Sequence, residues 1–154
     1  MTENRLNICQ VSLARDIPLI KENFMNFKKI YKNIKIFIIC PKNHLKIFKS
    51  RLNFKEIEII DENKILSFRV FESLFNQLSS MTNYKIEIKK RTNWYYQQIL
   101  KISFVLRFIY HEKKNIIIWD ADTIILKKIE FFRDNKSVLY GTLFEFHKPY
   151  YLTN

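Results

Sequence analysis

The run Asn115–Leu126, NIIIWDADTIIL, carries an apolar segment straight into Asp-Ala-Asp, and that junction limits the folds open to the chain. Ile116–Trp119 shows no polar alternation, so it reads as a strand buried on both faces. Strands of that kind belong to parallel sheets covered by helices. Asp120 and Asp122 fall at the strand's carboxyl end, where open α/β sheets bind ligands. In an extended segment residues two apart point the same way, so both carboxylates can converge on one point while Ala121 turns away. Like charges so placed repel unless a cation lies between them. A hard divalent ion held by both carboxylates and a substrate's phosphates fits the pattern, as do two solvated aspartates in a strand-ending turn.

The remaining order of elements agrees with an α/β sheet. Leu6–Val11 alternates as a first strand, and Pro18 to about Tyr31 is a helix with Asp16 near its start. Ile34–Cys40 is a second strand, Pro41 opens a short helix through about Lys49, and Glu56–Ile60 is a third strand closed by Asp61. Ile65–Leu78 places Ile65, Phe68, Phe71, Leu74, Phe75 and Leu78 at helical spacing, a core-facing helix. A polar connection, Asn83–Arg91, leads to the longest helix, Asn93–His111; Ser137–Phe144 reads as a fifth strand. Strands alternating with helices predict one mostly parallel sheet flanked by helices. The Ser12–Asp16 loop, Asp61 and the Asp120/Asp122 pair then all follow strands at their carboxyl ends.

Composition narrows the function more than the fold. A chain of 154 residues suffices for one domain with a real core. A single glycine excludes a Gly-rich phosphate loop. The net charge of +12 would suit a nucleic acid, an anionic membrane surface or a nucleotide diphosphate. The lysines are scattered, however, and the densest cluster is only Lys89-Lys90-Arg91, so the reading is against nucleic acid. Cys9 and Cys40 lie in apolar runs without metal-ligand spacing and read as buried free thiols of a reducing compartment. The polar start, MTENRLNICQ, has no secretory leader, and Ile99–Tyr110 is interrupted by Lys101 and Arg107, so no transmembrane segment is expected. These features place the chain in the cytoplasm or peripherally at the inner face of a membrane.

The helix before the acidic motif carries a second signal. In NWYYQQILKISFVLRFIYH, Tyr95, Ile99, Ile102, Leu106 and Ile109 form one apolar stripe. Trp94, Gln98 and Lys101 gather on one flank of it, within about 60° at the helical repeat. They read either as a chance patch at the core boundary or as a platform: an indole for packing, an amide for directional hydrogen bonds, an ammonium for phosphate.

WYYQQILK followed by IIIWDADTIIL resembles bacterial glycosyltransferases of the GT-A fold, above all a group of polysaccharide and lipopolysaccharide transferases with a W-Y-x-Q-Q-x-x-K helix before a D-x-D strand. The SLARD segment after the first strand and the later EFHKPYY are similar to that group too. The resemblance covers most of the chain, and its specific part is the helix with the D-x-D. It implies a GT-A-like, Rossmann-like domain that moves a sugar from a nucleotide-sugar donor to a cell-envelope glycan or lipid-linked glycan. Asp120 and Asp122 would bind Mn²⁺ or Mg²⁺ bridging the donor diphosphate. Ser12 and Asp16 would lie near the nucleoside, with Gln98 and Lys101 near the ribose or diphosphate and Trp94 as a packing surface for the nucleotide-sugar. Asp61 would meet the base or ribose, or else simply cap its strand. Glu145 and His147 would supply an extra ligand or acceptor contact, or an exposed terminal loop. Enzymes of this fold build much of the acceptor site after the D-x-D, whereas this chain ends at Asn154. An incomplete domain, the amino-terminal part of a longer fold, is therefore expected. Two other readings stand beside the transferase: a nucleotide- and metal-binding fragment without turnover, and a basic domain for nucleic acid or a membrane surface.

Overall fold

Four parallel strands, β1 (Leu6–Val11), β2 (Ile34–Cys40), β3 (Ile57–Asp61) and β4 (Ile117–Ile118), form one sheet in the order β3-β2-β1-β4. The computed structural model describes residues 5–80, 91–134 and 136–138. β1 is central, with Leu6 opposite Ile34 through Val11 opposite Ile39 on one side, and Ile8 and Cys9 opposite Ile117 and Ile118 on the other. The largely apolar runs follow from this position, because a strand paired on both edges and covered on both faces meets little water. Where β1 does carry polar residues inside, Asn7 has a partner: its side-chain amide donates to the Asn115 carbonyl at 2.9 Å.

Helices cover both faces. α1 (Ile17–Ile30) and α2 (Leu45–Arg51) pack Ile20, Phe24, Phe27 and Phe48 over Ile8, Ile36 and Ile38. α3 (Phe68–Ser80) and α4 (Thr92–Glu112) pack Phe71, Tyr96, Leu100 and Phe108 over Cys9, Phe37 and Ile39. The result is the three-layer α/β arrangement of Rossmann-like folds. Fully burying a phenylalanine such as Phe24, Phe27 or Phe48 contributes roughly 1.5–3 kcal/mol of apolar transfer. Cys9 and Cys40 are free thiols buried on opposite faces. Among the described residues no helix is long and apolar enough to cross a membrane.

Several boundaries and faces differ from expectation. Asp61 caps a one-turn 3-10 helix, Glu62–Lys64, so α3 begins at Phe68 rather than Ile65. Phe71 is buried and Ile65, Phe68 and Phe75 pack against the core, but Leu74 and Leu78 are 55% and 64% exposed, so those two leucines of the stripe face solvent. On α4 the phase is reversed. Ile99, Ile102, Leu106 and Ile109 face outward, while Tyr96, Leu100 and Phe108 are buried. α4 is apolar on two nearly opposite sides, and periodicity cannot choose between them. The sheet takes the side whose rings fit Phe37, with Phe104 and Phe108 at 5.4 and 5.2 Å between centroids. After β4 the chain forms a small antiparallel pair, β5 (Phe132–Arg133) with β6 (Lys136–Ser137). The rest of the expected strand Ser137–Phe144 beyond Val138, and all of the connection Asn83–Arg91 before Arg91, lie outside the described residues.

Candidate functional site

Parallel pairing brings the ends of β1 and β4 side by side, and the acidic turn sits at that edge. Trp119 still donates its backbone N–H to the Cys9 carbonyl at 3.0 Å, so the strand register runs one residue past Ile118. The chain then turns: Thr123 N–H donates to the Asp120 carbonyl at 3.1 Å, closing Asp120-Ala121-Asp122-Thr123. This corrects the expectation of an extended Asp-Ala-Asp. Alternation no longer aims the two carboxylates; the turn does. Ala121 does point inward and is buried, while Asp122 is exposed and the Asp120 side chain is 60% exposed.

The turn is anchored from α1. Asn23, buried among Ile20, Phe24 and Phe27, donates its amide to the Thr123 carbonyl at 2.5 Å and accepts from the Ile125 N–H at 3.1 Å. The Trp119 indole also donates to the Thr123 carbonyl, at 2.6 Å. Further on, Tyr31 at the end of α1 donates to the Ile129 carbonyl and accepts from its N–H, at 2.7 and 2.9 Å. Two α1 side chains thus tie down the backbone after the aspartates.

From the opposite face of the sheet, α4 supplies Lys101. Its ammonium lies 2.5 Å from Asp120 Oδ1, and its side chain is only 7% exposed. The pair is asymmetric: a sealed cation behind a carboxylate open to solvent. Cys9 lies near enough to feel that charge. Burial pushes its thiol up to about 12, and Lys101 opposes the rise. Gln98 is half-buried on the same flank of α4, and Trp94, 45% exposed, stacks edge-on against Tyr95 at 5.0 Å.

The β1 loop is the neighbour of this turn. Ser12 is buried and its N–H donates to the Ile39 carbonyl at 3.0 Å; Ala14 N–H reaches His44 Nδ1 at 3.3 Å. Asp16 folds back so that Oδ2 accepts from Leu13 N–H at 2.8 Å. Its carboxylate holds the loop closed. Asp61 stands apart, at the end of β3, with β2 between it and β1, hence about 10 Å away at the usual strand spacing. Its Oδ1 accepts from the Asn63 N–H at 2.9 Å, the strand-capping role. With Glu62 beside it, this corner is acidic. Burial first, and then Asp61, raise the Glu62 carboxyl, while burial, Glu62 and Asp61 push the Cys40 thiol up to about 12. Glu145 and His147 lie outside the described residues.

Two further buried polar residues, Gln10 and Asn23, shape this edge. Gln10 is 1% exposed, and neither its amide nitrogen nor its oxygen has a described partner; the Ser12 hydroxyl is in the same position. A glutamine beside Asn7 in a buried, mostly apolar strand (LNICQV) was the available signal. Asn23 likewise interrupts the apolar spacing of Ile20, Phe24 and Phe27. A cavity of about 1490 Å³, lined by Arg5, Asn7, Tyr31, Lys113 and Lys128 among others, opens at the start of β1. Among the described residues no three His, Cys, Asp or Glu side chains form a metal-holding group. A diphosphate-bridging ion needs only one or two carboxylates from the protein, the rest of its shell coming from phosphate and water.

Residues 13–153 match the model of a family of unknown function, DUF6492. The chain belongs to this family. The DUF6492 match takes in Asp16, Asp61, Lys101, Asp120 and Asp122, and starts one residue after Ser12. No curated protein and no solved structure matches the chain.

Proposed function

We propose that this DUF6492 chain binds the diphosphate of a nucleotide-sugar through a divalent ion at Asp120 and Asp122, as a glycosyltransferase acting on a cell-envelope glycan. The observation that carries the reading is the juxtaposition of the exposed Asp120 carboxylate with the buried Lys101 ammonium at the carboxyl edge of a parallel sheet. A cation already stands at Asp120, and both aspartates offer the hard oxygen donors that Mg²⁺ and Mn²⁺ take. When bound, such an ion neutralises charge that builds on a departing diphosphate. The chain's own groups have separate parts. Lys101 is a point charge for phosphate, and Gln98 on the same flank can hydrogen-bond a ribose or phosphate oxygen. The β1 loop, held shut by Asp16, gives a fixed wall beside the turn. The protein would work in the cytoplasm or against the inner face of a membrane, where nucleotide-sugars and lipid-linked acceptors meet.

Calorimetry with a panel of nucleoside diphosphates tests the reading, with Mn²⁺ or with EDTA. Binding with the ion and none in EDTA is expected. Equal affinity in EDTA would remove the metal role, and binding to DNA or to anionic vesicles alone, lost with added salt, would favour a basic surface domain.

A further inference from the structure

We propose that Lys101 is the resident counter-ion of Asp120 and gives it up only when a divalent ion and a diphosphate arrive together, so that the two ligands bind cooperatively. The inference rests on the reading above and adds the order imposed on it.

Lys101 is 5% exposed as a residue, and Asp120 is the one hydrogen-bonded or ion-paired partner it has among the described residues. It reaches the turn from behind, out of α4, while the carboxylate it holds faces solvent. Leu100, the residue before it, is fully buried, which fixes the helix against the sheet. The ammonium therefore cannot follow a departing partner far into water. A buried charge stripped of its partner is strongly disfavoured. A divalent ion that takes Asp120 alone would strip Lys101, besides placing two cations side by side. A diphosphate bridging that same ion brings new anionic oxygens to the same spot, and lysine is a capable point-charge binder of phosphate. The ammonium passes from carboxylate to phosphate, and each ligand removes the penalty that the other would otherwise meet. Such coupling is reciprocal in the two affinities.

Free Mn²⁺, followed by its electron paramagnetic resonance signal, would be titrated against the full chain with and without each nucleoside diphosphate. In the wild type the diphosphate should raise Mn²⁺ affinity by about tenfold or more, within the usual range of coupling between sites. In Lys101→Met, Mn²⁺ alone should bind several-fold tighter and the gain from diphosphate should shrink. Lys127→Met removes the same charge from an exposed position beyond the turn and should leave the gain as it is. An unchanged gain in Lys101→Met, or an equal loss in Lys127→Met, would overturn the hand-over. The wild-type arm stands by itself if Lys101→Met fails to fold: Mn²⁺ and diphosphate binding there without mutual gain overturns this inference alone. Failure of either ligand to bind the wild type overturns the proposed function with it.

Discussion

Replacing Asn23 with alanine isolates the latch that holds the acidic turn. The wild-type amide makes two bonds: donation to the Thr123 carbonyl and acceptance from the buried Ile125 N–H. Their losses are unequal. The Thr123 carbonyl keeps the Trp119 indole as a donor at 2.6 Å, so only a net hydrogen bond of about 1 kcal/mol goes there. The Ile125 N–H loses its side-chain acceptor inside the core, which costs roughly 1–3 kcal/mol for an unsatisfied buried donor. Together Asn23→Ala should cost about 2–4 kcal/mol, and for a domain of this size roughly 5–15 °C in melting temperature. Asn23→Asp keeps the acceptor for Ile125 but sets a carboxylate against the Thr123 carbonyl, so it should be no better than alanine. Urea unfolding followed by circular dichroism gives the free energies. A loss below about 0.5 kcal/mol, the scatter of ordinary surface changes, would mean that the turn is held by other contacts and that the latch argument is wrong.

Two further outcomes follow from the same structure. Tyr31→Phe removes the hydroxyl that both donates to and accepts from Ile129; a loss of about 1–3 kcal/mol in the same unfolding assay is expected, and an unchanged midpoint would dismiss that tie. The thiols of Cys9 and Cys40, both pushed up to about 12 chiefly by burial, stay protonated in the folded state while the unfolded chain loses those protons above about pH 8.5. The unfolded state then binds fewer protons, so stability should fall as pH rises from about 9 towards 12, by up to ~1.4 kcal/mol per unit for each thiol. A urea midpoint that is flat between pH 8 and 10 would contradict this.

The layered sheet was legible because its inner strands are buried on both faces and leave largely apolar runs, as in Ile36–Cys40; β4, expected to be covered on both faces, is instead a short edge strand that leaves Ile118 43% exposed. The convergence of loops on one edge followed from parallel pairing alone. Side-chain direction was less legible. α4 offers two apolar sides, and the choice between them depends on ring packing against Phe37, which no one-dimensional count contains. The Asp-Ala-Asp looked extended because the strand before it is so regular, yet its geometry is set by Asn23, about a hundred residues earlier in the chain. The proximity of Lys101 to Asp120 could be suspected from helix flank and strand end, but its burial could not. That burial alters what each aspartate can test. Asp120→Asn leaves an ammonium in the core with a neutral partner and should destabilise the fold on its own account. Asp122 is exposed and has no hydrogen bond or ion pair among the described residues.

Asp122→Asn is therefore the most direct test that this turn is a metal–diphosphate site. The measurement is nucleoside diphosphate affinity by calorimetry in saturating Mn²⁺, with the metal-free melting temperature read on the same preparation. An unchanged melting temperature is expected, with binding weakened by at least about tenfold, the loss of one charged ligand worth roughly 1.5–3 kcal/mol. Wild-type affinity in Asp122→Asn, with the fold intact, would contradict the metal–diphosphate assignment.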